Sequence, residues 1–322
     1  MVRNLAMLLA LLIGGLLVHR GLDDWYRYTV HGDSLPERRE RERAELLGGI
    51  DTLVLGDSHA LSGVEPPLLG AAYDLALPGQ FPPLVHAVLA SELDGIERVV
   101  LQADLHTLWP HPQRWFALRY YAPFTDFSTL GRQRGEPLSY AARGWLGRSA
   151  PYVGRRSTVL GYLAHGRPPE LGWVRERPLE RGAVLSDLRW IDLPADERAR
   201  VAAERAELHF HAGDAIDAVA ETYLVRALQL ARARGVGVVV VQYPVSPAYL
   251  AAARARVDVD ALDRRLAELL AAHPEVRRLD ARDLFFDRPE RFADPDHINR
   301  HGARELTQRI RSELEALEAS GA

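Results

Sequence analysis

No cysteine occurs in the 322 residues, and no lysine either, so all 40 basic side chains are arginines. The first absence excludes thiolate nucleophiles, disulfides and Cys-ligated metal centres. The second excludes Schiff-base catalysis and the lysine of a phosphate-binding loop. A chain free of cysteine is compatible with an extracytoplasmic setting without requiring one. Asparagine is almost missing as well, present only as Asn4 and Asn299. A net charge of -4 argues against a general nucleic-acid binder. Nothing in the chain asks for a cofactor or a metal: His209 and His211 lack zinc-type spacing with a carboxylate and read as solvated side chains.

With 47% hydrophobic and 26% charged residues, there is material for one large core carrying a substantial insertion. Residues 5–18 form an unbroken run of apolar residues and glycine behind Arg3. As a helix this run spans about 21 Å at 1.5 Å per residue, short of the roughly 30 Å hydrocarbon core. His19 and Arg20 can snorkel, and Trp25, Tyr26 and Tyr28 suit an interface, which extends the reach. The competing reading is a cleaved signal peptide. No Ala-x-Ala site follows, so an uncleaved anchor over residues 1–22 is expected, with a charged stalk at 23–49. Ser34 to Glu37 has the form of a capping box, and the Arg/Glu run behind it favours a solvated helix.

From residue 50 the pattern changes. Short runs of strand formers at 52–55, 72–77, 98–104, 236–243 and 276–279 alternate with helical stretches at 84–93, 215–234, 257–272 and 300–317. That alternation predicts an α/β domain over 50–318, a parallel sheet covered on both sides. The run 236–243 is almost all valine, as in a strand buried on both faces. Between 105 and 195 the periodicity dissolves into an irregular insertion or lid with five of the six tryptophans: Trp109, Trp115, Trp145, Trp173 and Trp190. Such a stretch fits a sugar-stacking or polyanion-binding surface, a lipid interface, or a small core of its own.

The stretch Thr52-Leu53-Val54-Leu55-Gly56-Asp57-Ser58-His59 ends a strand at a glycine and places a small polar residue where a helix can begin. Ser58 then stands at the carboxyl edge of the sheet, beside a helix N-terminus able to support an oxyanion. An ordinary turn with N-cap chemistry explains the same residues. Near the other end, Asp294-Pro295-Asp296-His297 puts carboxylates and an imidazole on one loop before the last helix. Ser58, Asp294 and His297 can form a triad of nucleophile, orienting acid and base. Asp296, adjacent to His297, reads as a turn or capping carboxylate, and Asn299 as the helix cap.

Gly-Asp-Ser-His after the first strand and Asp-x-x-His before the last helix resemble the SGNH (GDSL-like) hydrolase superfamily, in particular its membrane-anchored acyltransferase-like branches. The resemblance covers residues 50–104 and 213–317 and leaves the middle unaccounted for. It implies a flavodoxin-like three-layer sandwich and a covalent acyl-serine mechanism. It also implies extracytoplasmic action on a glycan or acyl-ester substrate, with an integral-membrane O-acyltransferase as partner. The orienting acid of that family lies three residues before the histidine, which points to Asp294. Its oxyanion hole uses the N–H of the nucleophile, here Ser58, a glycine after the second strand, here Gly79, and an asparagine after the third. Asp104 stands where that asparagine is expected. An ionised carboxylate there would repel an oxyanion, so Asp104 must be protonated or hydrogen-bonded elsewhere, or a backbone group or Gln80 must take its place. This departure keeps open a non-catalytic binding or assembly protein that retains the fold. A classical α/β-hydrolase is disfavoured, because Ser58 follows the first expected strand. His59, His106 and His111 receive no assignment from the sequence, and the residues after the valine strand, Pro244 to Pro247, are expected to reach the same sheet edge.

Overall fold

The computed structural model describes residues 49–110, 179–210 and 216–320 continuously. It also describes residues 2–26, with side chains from 13, the helix at 156–165, and scattered positions within 39–46 and 135–145. The chain divides into two compact units, Met1–Arg41 with Arg119–Arg177, and Glu42–Leu118 with Pro178–Ala322.

In the first unit, α1 spans Val2–Trp25, and the edge of the Trp25 ring meets Tyr162 at 6.0 Å. The anchor expected at 5–18 falls mostly on residues whose side chains lie outside the description. The stalk at 23–49 is described only in part, and its capping box at Ser34 lies outside as well. Among the described residues no helix is long and apolar enough to cross a membrane.

The second unit is an α/β domain on a five-stranded, fully parallel sheet. In chain order its elements begin β1 (Thr52–Leu55), α2 (Ser58–Gly63), β2 (Ala72–Asp74), α3 (Pro82–Glu92) and β3 (Arg98–Gln102). The helix α4 (Arg156–His165) belongs to the first unit. The domain resumes with α5 (Ala195–His209), α6 (Ala218–Ala233), β4 (Gly237–Gln242), α7 (Pro247–Arg254), α8 (Val259–Ala271), β5 (Arg277–Asp280) and α9 (Arg300–Ala319). The strand order β2-β1-β3-β4-β5 is doubly wound. Right-handed crossovers reverse direction after β2 and therefore place helices on opposite faces. α2 and α9 pack together on one face, and α3 with α6 on the other.

The centre of the sheet is dry. Val54 pairs with Val100, and Val100 with Val239, all fully buried, as expected of parallel strands covered on both faces. β5, at the edge, alternates half-buried and exposed residues, so only one face needs apolar cover. β2 is shorter than the sequence predicts, because the Asp74 carboxylate accepts from the Ala76 N–H at 2.7 Å and turns the chain out of the ladder. β3 stops at Gln102 rather than Asp104, where side-chain hydrogen bonds take over from the ladder.

Part of the stretch read as an insertion belongs to the core of this domain. Leu105, Leu108, Trp109, Ala183, Val184, Leu185 and Trp190 are all buried within it, and the Trp109 ring meets Phe210 edge-on at 5.9 Å. Trp145 is exposed, whereas Trp115 and Trp173 lie outside the described residues.

Candidate active site

The carboxyl edge of the sheet gathers the loops after β1, β2, β3 and β4, which is where a doubly wound sheet opens a crevice at its switch point. At Gly56 the backbone leaves β1 with φ +153°, and a Cβ there would stand 2.4 Å from Gln102 Oε1. Only glycine allows that approach. Asp57 caps α2 by accepting from the His59 N–H at 2.9 Å, which sets Ser58 on the first helical turn.

From the far end of the chain, the loop before α9 closes on Ser58. Asp294 accepts from the backbone N–H groups of Asp296 (3.1 Å) and His297 (2.9 Å), while its two oxygens stand 2.9 Å from His297 Nδ1. His297 Nε2 is 2.8 Å from Ser58 Oγ. The three residues singled out by the two motifs thus form one continuous hydrogen-bonded line. Asn299 caps α9, as its position predicts, accepting from His301 N and Gly302 N. Its own amide donates to the Glu290 carbonyl at 2.7 Å, which fastens the loop to the helix.

Gly79 lies in the turn after β2 with φ +71°. That turn is tied to the nucleophile loop by Leu77 N to Gly56 O (3.0 Å) and by Gly56 N to Gln80 Oε1 (2.9 Å). Gln80 therefore accepts at this point from the backbone of the nucleophile loop.

Asp104 is hydrogen-bonded elsewhere, which resolves the question raised by the missing asparagine. Its Oδ2 meets His59 Nδ1 at 2.6 Å and accepts from Gln102 Nε2 at 2.8 Å, while its Oδ1 accepts from Tyr243 N at 2.6 Å. Gln102 itself is fully used: Oε1 accepts from Asp57 N at 2.7 Å, and Nε2 also donates to Asp57 Oδ1 at 2.7 Å.

Two sequence expectations are corrected here. Asp296, read as a turn or capping carboxylate, has a fully buried side chain that pairs within the site instead. Its Oδ2 faces His59 Nε2 at 3.2 Å, its Oδ1 faces Arg205 Nε at 3.2 Å and lies 3.6 Å from His297 Nδ1. His209 is likewise buried rather than solvated, with Nδ1 2.6 Å from the Tyr249 hydroxyl and its ring stacked on His106 at 4.7 Å. His106 in turn pairs with Asp57 Oδ2 at 2.5 Å. His111 and His211 lie outside the described residues.

The sequence reading missed Arg205 and Gln102 altogether. Arg205 sits on α5, in a stretch without a strong apolar stripe, and nothing in its neighbours announces a partner 91 positions away. Gln102 lies near the expected end of β3, where a polar residue in a buried strand is itself a signal.

The electrostatics of the cluster follow from these contacts. Burial opposes charge on Asp57, yet the neighbouring His106 and His59 hold it far below the ordinary carboxylate range. Burial likewise opposes charge on Asp296, and His297, Arg205 and His59 together hold it well below that range. Asp296 in return raises Arg205 above its usual value against the cost of burial. His59 is disfavoured as a cation by burial, but its bonds to Asp104 and Asp296 lift it well above an ordinary histidine.

Two donor sets come close enough to be weighed as cation sites, Asp57 with His59 and His106, and His59 with Asp296 and His297. Ligands of a tetrahedral cation with bonds of about 2.1 Å stand roughly 3.4 Å apart. The 2.5 Å from Asp57 to His106 is a hydrogen-bond distance, shorter than that spacing. In the second set His59 Nε2 lies 3.2 Å from Asp296 Oδ2, and Asp104 holds the other ring nitrogen of His59.

Compared with known proteins, the chain matches no family model and no curated protein.

Proposed function

We propose that this protein is a membrane-anchored, extracytoplasmic serine esterase or O-acyltransferase of SGNH type, acting through an acyl-serine intermediate. The observation that carries the reading is the unbroken line from Ser58 Oγ through His297 to Asp294, with separations of 2.8 and 2.9 Å, at the carboxyl edge of a parallel sheet. Ser58 Oγ attacks the carbonyl carbon of an acyl ester while His297 Nε2 takes the hydroxyl proton. Asp294 holds the imidazole with Nδ1 protonated and stabilises the imidazolium that forms. The N–H of Ser58, at the first helical position and so without an intrahelical acceptor, would support the developing oxyanion, with that of Gly79, in the turn tied to the nucleophile loop, as the second donor of this reading. Collapse of the tetrahedral intermediate returns the proton to the departing alcohol and leaves acyl-Ser58. His297 then deprotonates the acceptor hydroxyl, from a glycan or from water, and the acyl group moves on.

The apolar run at 5–18 supports the anchor and with it an acceptor in the cell envelope. An integral-membrane O-acyltransferase that supplies the acyl group fits the same topology. Asp104 in place of an asparagine favours one alternative, a non-catalytic binding or assembly protein for such a polysaccharide-modifying system. One oxyanion donor is worth about 10²–10³ in turnover, so its loss weakens a hydrolase more than it weakens a binding surface. Labelling by a fluorophosphonate separates the two: covalent modification of Ser58, lost in His297→Ala, supports the enzyme, and an inert Ser58 supports the binding protein.

A further inference from the structure

His59 belongs to neither the nucleophile nor the base, yet it bridges two carboxylates. A neutral imidazole donates from one nitrogen only, and an ionised carboxylate only accepts. Asp104 accepts from Tyr243 N on Oδ1 and from Gln102 Nε2 on Oδ2 as well as facing His59 Nδ1; two N–H donors already on the carboxylate favour its ionised form and so place the proton of the bond to His59 on the imidazole. The Gln102 amide is oriented by the Asp57 N–H on its oxygen, so its nitrogen must be the donor to Asp104. His59 Nδ1 is therefore protonated. On the other side Nε2 faces Asp296 Oδ2 at 3.2 Å. A lone pair there would oppose an oxygen lone pair, unless a proton sits between them. Arg205 lies 3.2 Å from the other oxygen of Asp296 and favours the ionised carboxylate, so this proton too belongs to His59.

We propose that His59 is a resident imidazolium whose charge offsets that of Asp296 beside the base His297. This makes it a positioning residue, and its bearing on catalysis rests on the enzyme reading above. Its ring lies 5.0 Å from that of His297, edge to face. Without the charge of His59, Asp296 would favour a second proton on His297, on Nδ1 and Nε2 together, and block the base. The compensated pair keeps a second carboxylate close to Nδ1 while leaving Nε2 free to accept from Ser58. The other groups around His59 are Asp57 at the cap of its own helix, His106 after β3, and His209 with Arg205 on α5. Tyr249, on α7, is kept a neutral hydroxyl by burial and then by Asp296, and it bonds His209. Among these Arg205 is the one cation whatever the pH, and it reaches Asp296 from the side away from His59.

The test is nitrogen-15 NMR of the histidine rings in full-length protein, with His59→Gln used for assignment. At pH 8.5 His59 is expected to carry protons on both ring nitrogens, whereas an ordinary histidine is largely neutral there. One protonated nitrogen at that pH would overturn the proposal. A unit charge at such a distance moves a titration by about 1–2 pH units, so in His59→Gln the midpoint of His297 should rise by about that much. A midpoint that stays put would also overturn it, since a purely structural role moves no titration. Should His59→Gln fail to fold, Asp104→Asn keeps the question open to decision: His59 should then lose its second proton below pH 8.5, and His297 should rise in parallel. Recovery of a stoichiometric transition metal bound at an unprotonated His59 would overturn the proposal in favour of a metal site. Fluorophosphonate labelling of Ser58 is read separately: an unlabelled Ser58 beside a doubly protonated His59 would remove the enzyme reading and keep the charge assignment.

Discussion

The line of Ser58, His297 and Asp294 and the layer of Asp57, His59, His106, Asp104 and Asp296 behind it share one sheet edge and are built in opposite ways. Asp294 and His297 are three positions apart on one loop, and the Asp294 side chain remains about a third exposed. The second layer is closed to solvent and is assembled from the β1 loop, the β3 loop, the loop before α9 and helix α5. In the first, charge can appear and vanish during a reaction, because solvent is near and one proton shuttles along the line. In the second, the carboxylates are held by buried partners, so any change of charge must be compensated inside the protein. In the proposed function, a site that would work by moving a proton is thereby set against a background that resists moving one.

The strongest way to break this comparison is to remove a member of the line. Ser58→Ala and His297→Ala should each abolish acyl transfer and fluorophosphonate labelling, and the double variant should be scarcely worse than either, because triad members act as a unit. A rate close to the parent's in either single variant would mean that the line is not used.

The two carboxylates flanking His297 sharpen it further. Asp294→Asn should lower turnover by about 10³–10⁴ through the wrong imidazole tautomer, with little change in stability, since that side chain is part-exposed. Asp296→Asn should do the reverse, costing about 3–5 kcal/mol of stability by leaving Arg205 and His59 without their buried counter-charge, with a smaller loss of turnover in the folded fraction. Urea denaturation alongside ester turnover checks both. Equal losses of stability in the two variants would erase the distinction between line and layer.

Gly56→Ala sets the new methyl group against Gln102, which holds Asp57 and Asp104 of the second layer. Overpacking and backbone strain should together cost about 2–5 kcal/mol. Thermal unfolding indistinguishable from the parent would show that the loop has room to relax.

The smallest effect is the dependence of stability on pH. Asp57 and Asp296 are depressed, so their contribution is complete above about pH 4, their unfolded value, and is lost as pH falls through their folded values. His59 is raised, so its contribution is complete below about pH 6.5 and is lost as pH rises through its folded value. His86, lowered by burial and then by Arg226, has the opposite sign to His59 but is a single half-buried group. Unfolding free energy should therefore peak between about pH 4 and 6.5, and His59→Gln should flatten the alkaline decline.

What the sequence made legible follows the same division. The central strands β1, β3 and β4 were readable because their valines and leucines are buried on both faces, and the line from Ser58 to Asp294 because a glycine-terminated strand and a short Asp-x-x-His loop are local patterns. Asp296 was misread because its role depends on Arg205 and His59, which no spacing connects to it. Trp109 and Trp190 were read with a separate insertion, although they pack on the sheet domain, because aromatic residues among prolines and arginines carry no period to say which core they join. β2 was read too long, since the Asp74 side chain that ends it looks like any other polar residue in an alternating run.

The central claim is that Ser58 is an activated nucleophile, and the most direct measurement is mass spectrometry of the full-length protein after treatment with a fluorophosphonate. The account expects one adduct, on Ser58, formed at a rate that collapses in His297→Ala and falls steeply in Asp294→Asn. A Ser58 that remains unmodified while the protein is folded, or that reacts equally well without His297, would contradict it.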